Sequence, residues 1–239
     1  MMDSHEPLFQ FQEGEVLLFD KPYGWTSFDV VGHVRNSIRT FLGLDKIKVG
    51  HAGTLDPLAT GLLILCTGKA TRLIDSIQGM EKTYTGTLRL GATTPSYDLE
   101  TVIDKEYDWE HINTGMLQEA ARSLTGVLEQ IPPAFSAVHI DGKRAYKIAR
   151  KKHRDMELPS RTVEVIRFNL SRIALPDVDF EVQVSKGTYI RSLVDDFGRH
   201  CKSGAHLIAL RRTASGNYHV ADAMDPLAFR EMLKSLKNL

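Results

Sequence analysis

Gly-His-Ala-Gly-Thr-Leu-Asp-Pro-Leu-Ala-Thr-Gly, from Gly50 to Gly61, sets one carboxylate, Asp56, and one imidazole, His51, among three glycines and a proline. Gly50 and Gly53 open backbone conformations closed to other residues. Pro57 fixes its own φ and biases Asp56 towards extended backbone. The spacing predicts a stiff loop between two apolar strands, Ile47–Val49 and Leu62–Cys66. A carboxylate held this way can act as a nucleophile or stabilise developing charge. The same residues equally suit a tight turn in which Asp56 caps a short helical turn, and spacing alone leaves both readings open.

Three further stretches carry chemistry. Ser-Lys-Gly-Thr-Tyr-Ile-Arg, Ser185 to Arg191, is a glycine turn that delivers Tyr189 and Arg191 to a helix start. An arginine beside a carboxylate favours its ionised form, although Arg191 serves as well in a purely structural ion pair. Tyr84 lies on a predicted strand, Lys82–Leu90, and a tyrosine can stack on a planar base or offer a phenol for proton transfer. Lys143 to Arg154 holds seven cations (Lys143, Arg144, Lys147, Arg150, Lys151, Lys152, Arg154) around Tyr146, with no acid. Such a run is often just a solvated face, but basic clustering around an aromatic is also the footprint of RNA binding. Taken together these pieces suit chemistry on an extruded nucleobase, with no cofactor or metal supplied by any motif. Gly68-Lys69 fails as a phosphate loop, because Gly61 is too distant and Ala70 stands where Ser or Thr is needed.

The elements that must position these residues follow from periodicity. The chain has 239 residues and zero formal net charge, so any nucleic-acid reading rests on local clusters. No apolar run is long enough to span a bilayer, and Met1 to Gln12 lacks the core of a secretory signal. Cys66 and Cys201 stand apart in apolar surroundings, as expected of buried thiols in a reducing cytosol. The nine histidines are scattered away from any metal-ligand spacing. Glu15–Asp20 reads as a strand, and Thr26 or Ser27 as the cap of a helix whose stripe is Phe28, Val31, Val34, Ile38 and Phe41. Gly91 to Glu110 carries six acids and is expected to be largely a solvated loop. A helix from a Thr114 cap to Leu124 follows. Arg161–Leu175 and Val178–Val184 form a predicted hairpin, with a bulge where apolar parity changes between Val165 and Ile166. A helix Ser192–Cys201, a strand His206–Val220 and a last helix Asp225–Leu239, with Leu227, Met232 and Leu236 inward, complete the chain. The class is α+β: a mixed, largely antiparallel sheet flanked by helices.

The loop motif, Lys-Thr-Tyr at Lys82–Tyr84, Ser-Lys-Gly-Thr-Tyr-Ile-Arg, Leu-Arg-Arg at Leu210–Arg212 and Asp-Lys-Pro-x-Gly-x-Thr-Ser at Asp20–Ser27, in register over Glu15 to Val220, resemble the TruB family of tRNA pseudouridine-55 synthases. The resemblance implies a pseudouridine-synthase fold and isomerisation of the T-loop uridine of tRNA, without cofactor. By motif, Asp56 matches the catalytic aspartate, Tyr84 the tyrosine that stacks on the flipped base and is a candidate proton acceptor, and Arg191 the arginine paired with that aspartate. Asp98 matches an alternative partner of the arginine in the RNA-free state. His51 matches the histidine that fills the gap left by base flipping, Tyr189 and Leu210 the pocket wall, and Lys21 and Arg72 basic residues near the site and the RNA backbone. The segment 133–159 resembles an RNA-binding insertion, with Lys143, Arg144, Lys147 and Arg150 on the backbone. Phe135 and His139 depart from the family's usual Tyr and Lys there. The resemblance implies one catalytic domain over residues 1–239, with no room for a C-terminal PUA domain. The expectation is a cytoplasmic monomer binding the tRNA T-arm, with no membrane or metal partner. The rival is a non-catalytic RNA-binding or RNA-folding protein on the same fold.

Overall fold

A computed structural model describes residues 9–133, 139–140, 143–144 and 159–237. In chain order the strands are β1 Val16–Lys21, β2 Val49–His51, β3 Thr60–Thr67, β4 Lys82–Leu90, β5 Ala92–Thr93, β6 Lys105–Glu106 and β7 Gly126–Gln130. There follow β8 His139–Ile140, β9 Lys143–Arg144, β10 Arg161–Ala174, β11 Asp177–Val184, β12 Ala205–Ser215 and β13 Tyr218–His219. The helices are α1 Ser27–Leu42, α2 Ile74–Gly79, α3 Thr114–Ser123, α4 Ile190–His200 and α5 Pro226–Lys237. The class is mixed α+β with a mostly antiparallel sheet. Strand β3 runs antiparallel to β1 and β2 but parallel to β12, and β11 runs antiparallel to both β4 and β10. Internal contacts divide the chain into two compact units, Met1–Met80 with Arg211–Leu239, and Glu81–Leu210.

In the first unit β3 is the buried centre. One edge pairs with β1, from Val16↔Cys66 to Lys21↔Gly61. The other pairs with β2 at its far end, where His51 faces Leu65, and with the end of β12 at Arg211↔Thr60 and Arg212↔Gly61. His51 therefore lies within a strand, two residues beyond the expected end at Val49. Helix α1 starts at a Thr26–Asp29 capping box, in which each residue's side chain bonds the other's backbone N–H, and ends at Gly43 in left-handed geometry. Its buried face is Val30, Val31, Val34 and Ile38, with Phe41 packed partly against the core, whereas Phe28 is 67% exposed. The expected stripe is thus wrong at its first position. Ser27 is the first-turn residue that turns inward, to bond Leu55, and the residue one step round the helix is carried outward.

Helix α5 differs for a similar reason. Phe229 and Leu233 are fully buried, Met232 and Leu236 pack partly against the core, and Leu227 is exposed. Phe229 meets the rings of Phe9, Phe11 and Phe19 edge-on, with centroids 6.3, 6.2 and 5.3 Å away. An aromatic cluster built across the unit selects the inward face of α5. The expected strand His206–Val220 is instead β12 and β13, joined by a turn at Gly216, whose φ is +54°.

The second unit contains the antiparallel series β4-β11-β10-β7. A register shift between Val165 and Arg167 marks the bulge expected from the parity change. Helix α3 is capped by the Asn113 side chain, which accepts from the Met116 amide at 3.1 Å, rather than by Thr114. Helix α4 begins at Ile190, so Arg191 lies inside it. β8 pairs with β9, placing the backbones of Lys143 and Arg144 in a short hairpin. Most of the expected 133–159 insertion, including Phe135, Lys147 and Arg150, lies outside the described residues.

Candidate active site

In the first unit the chain leaves β2 at His51 and returns at Thr60, and Asp56 sits on the intervening loop, partly exposed. Its neighbours are fixed on both sides. Ser27 Oγ accepts from the Leu55 amide at 2.8 Å and donates to the Leu55 carbonyl at 3.2 Å. The Pro57 carbonyl accepts from the Gly24 amide at 2.9 Å and from Lys21 Nζ at 3.3 Å. Lys21 is fully buried, and its ammonium also donates to the carbonyls of Trp25 at 2.6 Å and Pro22 at 3.0 Å. Burial pushes Lys21 down to about 8, opposed by the negative charge of Asp56.

A third support carries no clear signal in the sequence. Arg212 is buried, with Nε donating to the Leu62 carbonyl at 2.7 Å and Nη2 to the Gly53 carbonyl at 3.1 Å. It ties the start of the loop to β3 while Lys21 and Ser27 hold its middle. Gly61 makes this possible: its φ is +100°, and a Cβ there would lie 2.3 Å from the Arg212 carbonyl oxygen. The Leu-Arg-Arg motif marks the place, but nothing in it distinguishes which arginine turns inward. Arg211 instead pairs bidentately with Asp20, at 2.9 and 2.6 Å.

His51 is held below its usual range first by burial, then by the Arg212 charge, which favours a neutral imidazole. Its ring meets Phe28 at 5.4 Å, near perpendicular. Arg72 lies further off, exposed at the end of the 3-10 turn Gly68–Leu73, with Nε on the Lys69 carbonyl at 3.1 Å.

In the second unit Tyr84 is buried on β4, opposite Val182 of β11. Tyr189 is the N-cap residue of α4, and its backbone is clamped by Gln130. The Gln130 Oε1 accepts from the Tyr189 amide at 2.8 Å, and its Nε2 donates to the Tyr189 carbonyl at 3.1 Å. The Arg161 guanidinium lies 4.4 Å from the Tyr189 ring centroid. Neither Gln130 nor Arg161 carries any sequence signal, since each acts across distant strands. Leu210 closes this unit's share of β12, half-buried.

Arg191 is 3% exposed. Its Nη1 donates to the Ser96 carbonyl at 3.1 Å, and its Nε lies 3.6 Å from Asp98 Oδ2. The expected solvated loop is therefore ordered in its first half. Thr93, Thr94, Ser96 and Asp98 are buried, and Thr94 and Ser96 hydroxyls both donate to the Asp98 carbonyl. Tyr97 sits at φ +63°, a costly conformation for an aromatic residue, immediately before Asp98. A buried guanidinium requires a buried acid, and this overrides the polar composition that points to solvent. Beyond Leu99 most of the segment is exposed, as expected.

Both cysteines are buried, and burial pushes Cys201 up to about 11, leaving it an inert thiol. No helix among the described residues is long and apolar enough to cross a membrane.

Residues 39–190 match the model of the TruB family pseudouridylate synthase N-terminal domain, and residues 191–237 that of the tRNA pseudouridylate synthase B C-terminal domain. The chain belongs to the TruB family. It is 50% identical over 226 residues to a tRNA pseudouridine synthase B of Flavobacterium johnsoniae, covering 94% of this chain and 98% of the relative. It is 51% identical over 227 residues to the Bacteroides thetaiotaomicron protein of the same name, covering 93% and 94%. Among solved structures it resembles a chain of a Cbf5-Nop10-Gar1 complex, with TM-score 0.65 and 31% identity over 87% of this chain and 50% of that one. A chain of an archaeal box H/ACA sRNP Nop10-Cbf5 complex gives TM-score 0.67 and 26% identity over 95% and 56%. This chain spans about half the length of those solved chains.

Proposed function

We propose that the protein isomerises the T-loop uridine at position 55 of tRNA to pseudouridine, acting as a cytoplasmic monomer with one catalytic domain. Asp56 is the nucleophile and adds to the extruded uridine, at the base or at C1′ of the ribose. The N1–C1′ bond breaks, the base turns, C5 bonds to C1′, and Asp56 is released. C5 loses its proton and N1 gains one, so substrate and product are isomers and no co-reactant enters. Tyr84 stacks on the base and offers its phenol as the proton acceptor. Arg191 pairs with the Asp56 carboxylate, exchanging it for Asp98 when RNA is absent. His51 occupies the gap in the RNA, Tyr189 and Leu210 wall the pocket, Lys21 and Arg72 add positive charge, and Lys143, Arg144, Lys147 and Arg150 hold the phosphate backbone.

The observation that carries this reading is the hold on the neighbours of Asp56. Leu55 is hydrogen-bonded by Ser27 and Pro57 by Gly24 and Lys21, which sets a partly exposed carboxylate between two anchored backbone positions. The names of the relatives support tRNA as substrate. The test is incubation of the purified protein with unmodified tRNA, followed by mapping of pseudouridine at single-nucleotide resolution. The expected result is one pseudouridine, at position 55, lost in Asp56→Asn while tRNA binding persists. Modification elsewhere, or full turnover by Asp56→Asn, overturns the assignment.

A further inference from the structure

We propose that Phe28 is a stacking platform for a nucleobase of the substrate RNA adjacent to the isomerised uridine. Phe28 occupies the first turn of α1, where helix periodicity would bury it, yet it is 67% exposed. It follows Ser27, the side chain that fixes Leu55 beside Asp56. Its ring is braced on one side by the perpendicular His51 ring at 5.4 Å. It also borders an open hollow of about 470 Å³ lined by Trp25, Asp29, Gly32, His33 and Asn36. Gly32 contributes no side chain to that hollow. Trp25 and His33 stack edge-on at 5.5 Å within it.

The occupant follows from continuity and charge. Phe28 links the hollow to the Asp56 loop: it lines the hollow, follows Ser27, whose hydroxyl bonds Leu55 beside Asp56, and meets the ring of His51 where that loop begins. Among the described residues no Lys or Arg lines the hollow. Asp29, the acid in its lining, is committed to the capping box with Thr26. What remains is the rings of Trp25, Phe28 and His33 with the neutral amide of Asn36, which suits the face of a base and not a phosphate. A ring already braced by His51 loses little freedom on stacking, so the contact is pre-organised.

This inference rests on reading the Asp56 loop as a uridine-isomerising site, and the experiment separates the two. A T-arm hairpin and versions lacking a single base on either side of the target uridine are titrated against wild type, Phe28→Ala, Phe28→Leu and Phe28→Trp, with thermal unfolding checked for each. Phe28→Ala is expected to weaken the intact hairpin about tenfold, the usual scale for one base–aromatic stack. Phe28→Trp should restore binding, and Phe28→Leu should not. One abasic hairpin should bind wild type and Phe28→Ala equally, because the stacked base is then already gone. If every abasic hairpin shows the same loss in both proteins, or if only kcat changes, the platform is overturned. Pseudouridine is scored on the same hairpins. Its absence with wild type overturns the reading of the Asp56 loop, whereas lost coupling with intact activity overturns the platform alone.

Discussion

Arg191 Nε lies 3.6 Å from Asp98 Oδ2, with both side chains more than nine-tenths buried, on elements more than ninety residues apart in the chain. Removing one charge from such a pair leaves the other in a medium that solvates it poorly. Asp98→Ala is expected to destabilise the fold by about 2–3 kcal/mol, measured by denaturant unfolding. An unchanged midpoint would show that Arg191 does not depend on this acid.

Arg191→Ala addresses the role proposed for the same guanidinium in the reaction. On the proposal that Arg191 pairs with the Asp56 carboxylate during the reaction, steady-state kinetics should show a strong fall in kcat with a smaller change in tRNA affinity. A rise in KM alone would make Arg191 a binding residue.

Ser27 Oγ is the hydrogen-bonding partner at 2.8 Å for the buried Leu55 amide. Ser27→Ala leaves that amide unsatisfied, at a cost of about 1–3 kcal/mol. The residue beside Asp56 also gains freedom, so kcat should fall while KM for RNA moves less. Single-turnover rates with saturating enzyme report this directly. A variant that loses stability but keeps the wild-type chemical rate would separate the hydroxyl from catalysis.

Lys21 gives the system a pH dependence of known sign. Its pKa falls from 10.5 to about 8 on folding. Between those values the unfolded chain holds the proton and the folded chain releases it, so this group makes stability rise with pH across the interval. The burial penalty is full below about pH 8 and is removed by about 10.5. Activity runs the other way. Deprotonation removes a positive charge facing Asp56 and a donor from the cradle of carbonyls, so kcat should decline about a midpoint near pH 8. Lys21→Arg, whose side chain does not titrate there, should lack that limb of the pH–rate profile.

Gly61 sits at φ +100°, and an added Cβ would fall 2.3 Å from a backbone oxygen. Gly61→Ala should therefore fold poorly or not at all, at a cost above about 3 kcal/mol from strain and displacement of Arg212 combined. The readout is soluble yield and thermal midpoint against Gly32→Ala, where the added methyl meets open space.

Local rules suffice where neighbours in sequence decide the outcome. The capped start and glycine end of α1, the run of β4, and the hairpin of β10 and β11 with its bulge after Val165 are all legible from periodicity, turn residues and a parity change. The stretches that hold the candidates Asp56, Tyr84 and Arg191 stand out as well, because their motifs are short and contiguous. What escapes is whatever depends on partners far along the chain. The apolar period of α5 puts Leu227 inward and passes over Phe229, because only the Phe9, Phe11 and Phe19 rings choose between those faces.

The same holds for charge. By itself the sequence marked the candidate residues for chemistry and most of the segments that become strands and helices, since dihedral preference and apolar period act over a few residues. Only the tertiary structure decided that Arg212 rather than Arg211 turns inward to the Gly53 carbonyl, that Thr93, Thr94 and Ser96 are buried with Asp98 in a stretch whose composition points to solvent, and that Phe28 stays out in solvent. The reason is desolvation. Whether a charge or a ring is buried depends on whether distant parts of the chain bring it a partner, and no local spacing encodes that supply.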